Sequence, residues 1–537
     1  MQLENQPEYM QCDVLVIGGG GTGISAAITA RRLGADVIVS SKGKVGYANN
    51  TYISAGMLSS PGTGNVLDTP DEHVKDMVES GRSMVDPNLA LTVARQAADH
   101  VKFLEECGVG FVRTENTVTA VQFPGHSFAR NVQTDRKRGS GYMLPLVKYA
   151  KEIGVRFFDH AFITRLRADN NCISSAIGFN EKGKPFLIQA KSIILATGGF
   201  AQVYQNNNNA FGITGDGHAM AYDLGVPLRD MEFVQFYPVW GTFYEITIAM
   251  AGARLKNSKG EDILEKRGLH DPASVTRDQL SIAVFSEIQQ GLDVDGGVIL
   301  DFKPVAPAFM EMLNHSAMGK RINSDKEQVV KPCAHFCMGG LVVDEKGMTC
   351  IHGLYAAGEI CGGVHGANRL GGNALAEVFS MGRITGKAAF EFGKEVDATP
   401  EPTQFIEEEV SRLSTISDQK GNKDIKHLTS SFKEVVWKNI GIIRNRDLLE
   451  NAISLIHGIE SDLKQAHVGS VRNLMRFLEL ENMILVSKIL CESALLRTES
   501  RGSHYRRDFP EEDNQNWLKT ICVRKDKDEM KIEVQPI

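Results

Sequence analysis

The sequence predicts an α/β protein that gives way to a helical bundle near its C-terminus. Three observations predict it. The apolar run Cys12–Ile17 ends in glycines, small and apolar residues follow at helical spacing over 22–33, and a second apolar run covers 35–41. That order makes a β-turn-α-β unit. Residues 155–195 hold several more strand-like runs. From about 404 to 498 glycine becomes scarce and long segments, such as 471–496, carry helical periodicity.

The elements follow in order. Residues 68–107 read as helical, with Pro70 near the start and Gly108 just past the end. The runs VRFFDHAFI, ISSAIGFN, FLIQA and SIILA read as strands, with Gly183 in a hairpin turn. Residues 231–345 mix strands and helices without a long periodic segment, and 373–393 return to a helix. A polar break at 394–403 reads as a linker. At 537 residues the chain is long enough for about three domains. With 42% hydrophobic and 23% charged residues it is neither disordered nor fibrous. A net charge of −7 gives no ground for a nucleic-acid partner.

The glycines after the first strand carry chemistry. Gly18, Gly20 and Gly23, with Gly21 and Thr22 between them, fit G-x-G-x-x-G at a strand-to-helix junction. Gly18 permits the tight turn, Gly20 lets the backbone approach a pyrophosphate, and Gly23 permits close helix packing. The second strand ends Ser40-Ser41-Lys42, where a ribose-binding carboxylate is usual. A Ser hydroxyl accepts such a bond more weakly. Two later strand-to-turn segments, Ala196–Gly199 and Ala356–Glu359, favour the longer FAD over NAD, with Glu359 a partner for a ribityl or ribose hydroxyl. The nine cysteines are odd in number and scattered, which argues for a reducing compartment. No CxxC pair occurs, so an iron–sulfur cluster in a working assembly is expected on another chain. No apolar stretch reaches the ~18 residues of a membrane span, and MQLENQPEYMQ lacks the features of a signal peptide. The expected location is cytoplasmic, with any membrane association through partners.

At the longer motifs the sequence resembles the flavoprotein subunits of fumarate reductase and succinate dehydrogenase, together with L-aspartate oxidase. The matching stretches are SSKG (40–43), ATGGFAQVY (196–204), TGDGHAMAYDLGVPLRDMEFVQFYP (214–238) and TRDQLSIAV (276–284). They continue with CAHFCMGG (333–340), AAGEICGGVHGANRLGGNALAE (356–377) and ESRGSHYRRDFP (499–510). The Ser-Lys ending of the second strand belongs to this pattern. The resemblance implies a Rossmann-like FAD-binding domain in two pieces, 1–230 and 346–395. It places an inserted α+β capping domain at 231–345, a helical domain at 404–498 and an extension at 499–537. It assigns cofactor contacts to Gly18, Gly20, Gly21, Thr22, Gly23, Ser41, Lys42, Gly56, Thr197, Gly198, Asp216, Glu359, Asn373 and Leu375, and it implies no metal site in this chain.

The same resemblance implies hydride transfer between the flavin and a C–C bond beside a carboxylate. Arg277 falls where the family has its proton-shuttling arginine; an Arg277–Asp278 surface ion pair is the competing reading. His335 and Arg369 match the family's carboxylate-binding side chains, and a guanidinium fork suits two carboxylate oxygens. Arg254 matches an arginine on the proton path. Three departures stand out. Met250 and Ala251 replace the Thr and Glu that precede that arginine, and neither passes a proton. Tyr237 replaces a His, which removes a cationic partner for a second carboxylate. Segment 46–56 has Asn49 and Asn50 where covalently flavinylated relatives carry a His, so FAD is expected to be non-covalent. Such a flavin favours reduction of the double bond. The expected function is reduction of an unsaturated carboxylic acid other than simple fumarate, with an iron–sulfur protein as partner. Alternatives are an L-aspartate-oxidase-like amino-acid oxidase and a non-catalytic electron-transfer flavoprotein. For ESRGSHYRRDFP a structural role is expected.

Overall fold

In a computed structural model of the protein, residues 7–136, 138–239, 252–270, 275–307, 328–396 and 402–537 are described. The first strand, Glu8–Ile17, buries Val14, Leu15 and Val16 completely, as an interior strand covered on both faces must. It lies parallel to Val37–Ser40 on one side and to Pro185–Leu195 on the other. Arg156–Phe158 extends the sheet beyond Val37–Ser40, and Leu354–Ala356 joins Pro185–Leu195 in parallel. The antiparallel strands Ala161–Asp169 and Cys172–Asn180 complete seven strands. Gly183, at φ 81°, turns the hairpin into Pro185–Leu195.

Register decides where a ligand goes. Ile17 pairs with Ser40 and with Leu195, and Leu195 pairs with Ala356. The parallel strands therefore end level, and the turns that begin at Gly18, Ser41, Ala196 and Ala357 open at one edge of the sheet. That edge is where open α/β sheets bind ligands. Because Leu354–Ala356 lies more than 150 residues beyond Leu195, this domain is assembled from two pieces of sequence.

The predicted helical stretch 68–107 is three helices, Pro70–Ser80, Pro87–Ala97 and His100–Glu106. Thr69 and Asp86 cap the first two, each ahead of a proline at the first helical position, so the chain restarts after Gly81 instead of continuing. A second, antiparallel sheet has the order Val234–Val239, Gln328–Cys337, Val298–Asp301, Arg254–Lys256, with helix Arg277–Gln289 packed on it. The chain's last hairpin, Lys519–Asp526 with Glu529–Pro536, pairs with Leu228–Arg229, which also pairs with Gly340–Leu341.

Helix Asn373–Gly393 precedes the predicted linker, of which 397–401 lie outside the described residues. Four helices follow: Thr403–Ser417, Ile425–Asn439, Arg446–Leu463 and Val471–Leu496. Asp424, Asn445 and Ser470 cap the last three by accepting from a backbone N–H three residues on. The final helix reaches the cofactor domain through Glu479 and Asn482, which bind Lys42 (2.7 Å) and Asp216 (3.0 Å). The 499–510 stretch is tied into an internal ionic brace: Glu499 bonds Arg501 (2.8 Å) and Arg497 (3.0 Å), and Arg497 also bonds Glu232 (2.6 Å), all buried. Among the described residues, no helix is long and apolar enough to cross a membrane.

Candidate active site

Gly18, Gly20, Gly21, Thr22, Ser41, Lys42, Gly56, Thr197, Gly198, Asp216, Glu359 and Leu375 line one cavity of about 870 Å³ at the level strand ends. Gly18 and Gly23 are there for packing. A Cβ on Gly18 would sit 2.1 Å from the Ala196 oxygen, and one on Gly23 would sit 1.9 Å from the Gly18 oxygen. At Gly20 nothing lies nearer than 3.9 Å, so a side chain there would stand in the cavity. Helix Gly21–Arg32 has no side-chain cap and no acidic residue in its first turn, which leaves its positive end to a pyrophosphate. The Ser40 and Thr197 hydroxyls are buried in the lining without a hydrogen-bond partner among the described residues. Sugar hydroxyls would satisfy them. The residues fit FAD.

Lys42 is committed to protein: its Nζ bonds Asp216 (2.6 Å), Glu479 (2.7 Å) and Thr214 Oγ1 (2.7 Å). Asn373, expected at the cofactor, lies behind the cavity. It opens helix Asn373–Gly393 fully buried, with Oδ1 2.8 Å from His73 Nε2, while its neighbours Gly372 and Ala374 line the cavity. Asn49 Oδ1 accepts from Tyr52 N–H (2.9 Å), and Asn50 bonds Asn209, Glu359 and the Ala210 N–H. An amide so engaged is no nucleophile for a flavin methyl group. Acid precipitation of the holoprotein is expected to leave the yellow colour in the supernatant, and colour in the pellet would contradict a dissociable cofactor.

Glu359 accepts from the Cys337 N–H (3.2 Å) and from Asn50 Nδ2 (3.1 Å), yet burial pushes its carboxyl up to about 7. A folded pKa above the unfolded value favours the fold at low pH and loses that advantage as pH rises to about 7. Glu359→Gln should therefore stabilise the FAD-free protein above pH 7, by about 3 kcal/mol at most, and hardly at pH 5. Thermal melts at the two pH values check this.

The other end of the cavity is cationic. Arg277 begins helix Arg277–Gln289, at whose start Gln279 Oε1 accepts from the Thr276 N–H (3.0 Å). Asp278 accepts from Asn368 Nδ2 (3.0 Å) instead of pairing with Arg277. Gln235 Nε2 donates to Asn368 Oδ1 (2.9 Å) and to the Arg369 oxygen (3.0 Å), which turns its Oε1 toward two guanidiniums. Arg277 Nη1 donates to that oxygen at 3.2 Å and Arg369 Nη2 at 3.1 Å. Among the described residues neither arginine has a carboxylate ion pair, and the buried Arg369 Nε has no hydrogen-bond partner. Burial, with Arg277 beside it, holds the Arg369 pKa well below the usual arginine range. An incoming carboxylate relieves both costs.

His335, on strand Gln328–Cys337, lines the same end, with Nδ1 3.1 Å from the Asn208 amide. Tyr237 lies under Arg277, 5.0 Å from the guanidinium carbon to the ring centroid, and 6.0 Å from the His335 ring. Phe336 lies 4.6 Å under Arg369, and Phe123 and Val239 add apolar lining. Arg254 is a correction. It starts strand Arg254–Lys256, where alternation buries Leu255 and turns residue 254 outward, 44% exposed and paired with Asp262 and Glu265. It does not line the cavity. Met250 and Ala251 lie outside the described residues. Sequence reading missed Gln235 and Asn208. The first stands in the FVQ motif and the second in the NNNN run at 206–209, so both were visible but had no assigned chemistry.

The fold and cavity together define an FAD-dependent oxidoreductase. Residues 13–375 match the family described as FAD binding domain, and 429–537 match the fumarate reductase flavoprotein C-terminal family. The chain belongs to the fumarate reductase and succinate dehydrogenase flavoprotein family, whose members act on CH–CH groups. It is 36% identical to an uncharacterized FAD-dependent oxidoreductase of Methanocaldococcus jannaschii, covering 96% of each chain. It is 34% identical to one subunit of the CoM/CoB fumarate reductase of Methanothermobacter marburgensis, covering 97% of this chain and 98% of the other. Among solved structures, the E. coli quinol fumarate reductase flavoprotein superposes with a TM-score of 0.89 at 26% identity, over 99% of this chain and 97% of that one.

Proposed function

We propose that this flavoprotein reduces the C=C bond of an unsaturated carboxylic acid that is bulkier than fumarate or carries a single carboxylate. The observation that carries the reading is the convergence of Arg277 and Arg369 on one Gln235 oxygen, without a carboxylate ion pair among the described residues, beside an aromatic and apolar wall. Arg369 and His335 are assigned to one carboxylate, where a fork and an imidazole donor polarise the conjugated double bond. Bound FAD supplies the two-electron hydride chemistry. Arg277 is assigned the proton that completes the reduction at the neighbouring carbon. It faces the cavity from a helix start, and its stacking on Tyr237 fixes the guanidinium plane. A second carboxylate would meet Tyr237, whose phenol carries no positive charge, so a dianion gains little there.

The Methanothermobacter relative is one chain of a larger enzyme, which supports a multi-subunit setting, and we assign electron delivery to an iron–sulfur partner chain. Any membrane contact would come through partners. The test is anaerobic reoxidation of the reduced holoprotein by fumarate, crotonate, cinnamate and related acids. A monocarboxylate or aromatic acid should reoxidise it faster than fumarate. Tight fumarate binding with rapid turnover would overturn the substrate assignment.

A further inference from the structure

We infer that Asn208 selects the His335 tautomer that offers Nε2–H to the bound anion, which makes Asn208 a positioning residue for the carboxylate subsite. The inference rests on the reading of His335 as a carboxylate ligand. It begins with the run of four asparagines at 206–209. This run is held beside strand Gln328–Cys337 by the backbone. Ala334 N–H donates to the Asn206 oxygen (2.9 Å), and Asn208 N–H donates to the Ala334 oxygen (3.2 Å). The register sets residue 208 next to His335. From the other side Gln202 Nε2 donates to Asn207 Oδ1 (2.9 Å) and to the Asn209 oxygen (3.0 Å), and Lys433 of the helical domain donates to Gln202 Oε1 (2.7 Å). Asn208 is thus placed by an ordered shell.

Its amide meets the ring squarely. Both Nδ2 and Oδ1 of Asn208 lie 3.1 Å from His335 Nδ1, so what else the two amide atoms bond decides which ring nitrogen carries the proton. Asn209 Nδ2 donates to Asn208 Oδ1 (3.4 Å) while also bonding the His335 oxygen (3.0 Å). Donating Nδ2–H to Nδ1 then gives both amide atoms a partner, whereas an Nδ1–H donated to Oδ1 would leave Nδ2 with no acceptor among the described residues. The opposite orientation would set two amide nitrogens against each other. A ring that accepts at Nδ1 must be protonated at Nε2. Nε2 has no protein partner among the described residues, and the ring lines the cavity. Burial and the Arg369 and Arg277 guanidiniums keep the imidazole uncharged by holding its pKa well below the ordinary value. The tautomer then settles whether the ring attracts or repels an anion. Nε2–H donates to a carboxylate; a bare Nε2 lone pair would oppose it.

The test reads the proton directly. Nitrogen NMR of the ¹⁵N-histidine-labelled holoprotein, with His335 assigned by its loss in His335→Ala, should show Nε2–H and bare Nδ1 unchanged from pH 6 to 8. The charged groups facing the ring are Arg277 and Arg369, with the Tyr237 ring 6.0 Å away. Asn208→Asp should move the proton to Nδ1, and at pH 8 should weaken cinnamate binding, followed by flavin absorbance, about tenfold. Asn208→Ala should leave a mixture of tautomers, with flavin content as the check on folding. The wild-type signal in both variants would overturn the inference while leaving the site reading intact, and an Nδ1–H signal in the wild type would overturn the inference together with the reading of His335. If the tautomer shifts as expected but His335→Ala binds cinnamate as tightly as wild type, the reading of His335 falls, and the role of Asn208 falls with it.

Discussion

Arg277→Gln is expected to lower substrate turnover by roughly 10²–10⁴-fold, the range that a positioned proton donor contributes, while FAD stays bound. The expectation follows from placement. Arg277 shares the Gln235 oxygen with Arg369 (3.2 and 3.1 Å), and its own neighbour Asp278 is engaged by Asn368. Glutamine keeps the hydrogen-bonding reach but removes the charge and the proton. Arg277 lines the cavity and bonds Gln235, with no bond to the glycine turn among the described residues, so cofactor affinity should hardly change. The measurement is single-turnover reoxidation of the reduced flavin by the best acid of the panel, with flavin content determined alongside. Unchanged turnover would mean that the proton comes from another group and that Arg277 is not the donor.

Arg497→Met should destabilise the protein by roughly 3–5 kcal/mol, the cost of removing one partner from a buried ion pair. Arg497 is fully buried. It bonds Glu232 and Glu499, and also donates to the Trp517 and Lys519 oxygens (2.9 and 2.8 Å). One guanidinium thus joins the end of the last long helix, the segment before Val234–Val239 and the start of the terminal hairpin. Its loss leaves the Glu232 carboxylate buried beside unpaired carbonyls. The control is Arg524→Met, which breaks the half-exposed pair with Glu533 (3.3 Å) and should cost about 1 kcal/mol or less. Equal shifts of the two denaturation midpoints would argue that the brace contributes no more than a surface pair.

Much of this was legible in the residues. The glycine turn at 18–23, the strand that precedes it and the helix that follows are short-range features, and they stand where the pattern puts them. The helical texture after 404 was equally readable, because each helix repeats its apolar period within its own length. The first break in 68–107 turned on the Asp86 cap followed by Pro87, a local signal hidden by continuous apolar spacing, and the second, before His100, carries neither a side-chain cap nor a proline. Arg254 was misread because a motif match ignores strand parity: one position along a strand reverses the face.

The sequence by itself determined the cofactor class, the family and the identity of the cationic side chains, since those depend on short motifs whose chemistry is carried by residue type. Only the tertiary structure decided that Arg277, His335 and Arg369, drawn from three separate segments, meet at one cavity, that Gln235 and Asn208 orient them, and that Arg254 stands outside. Such convergence depends on strand register and helix placement across more than 100 residues of chain. No local pattern encodes a distance between side chains that far apart.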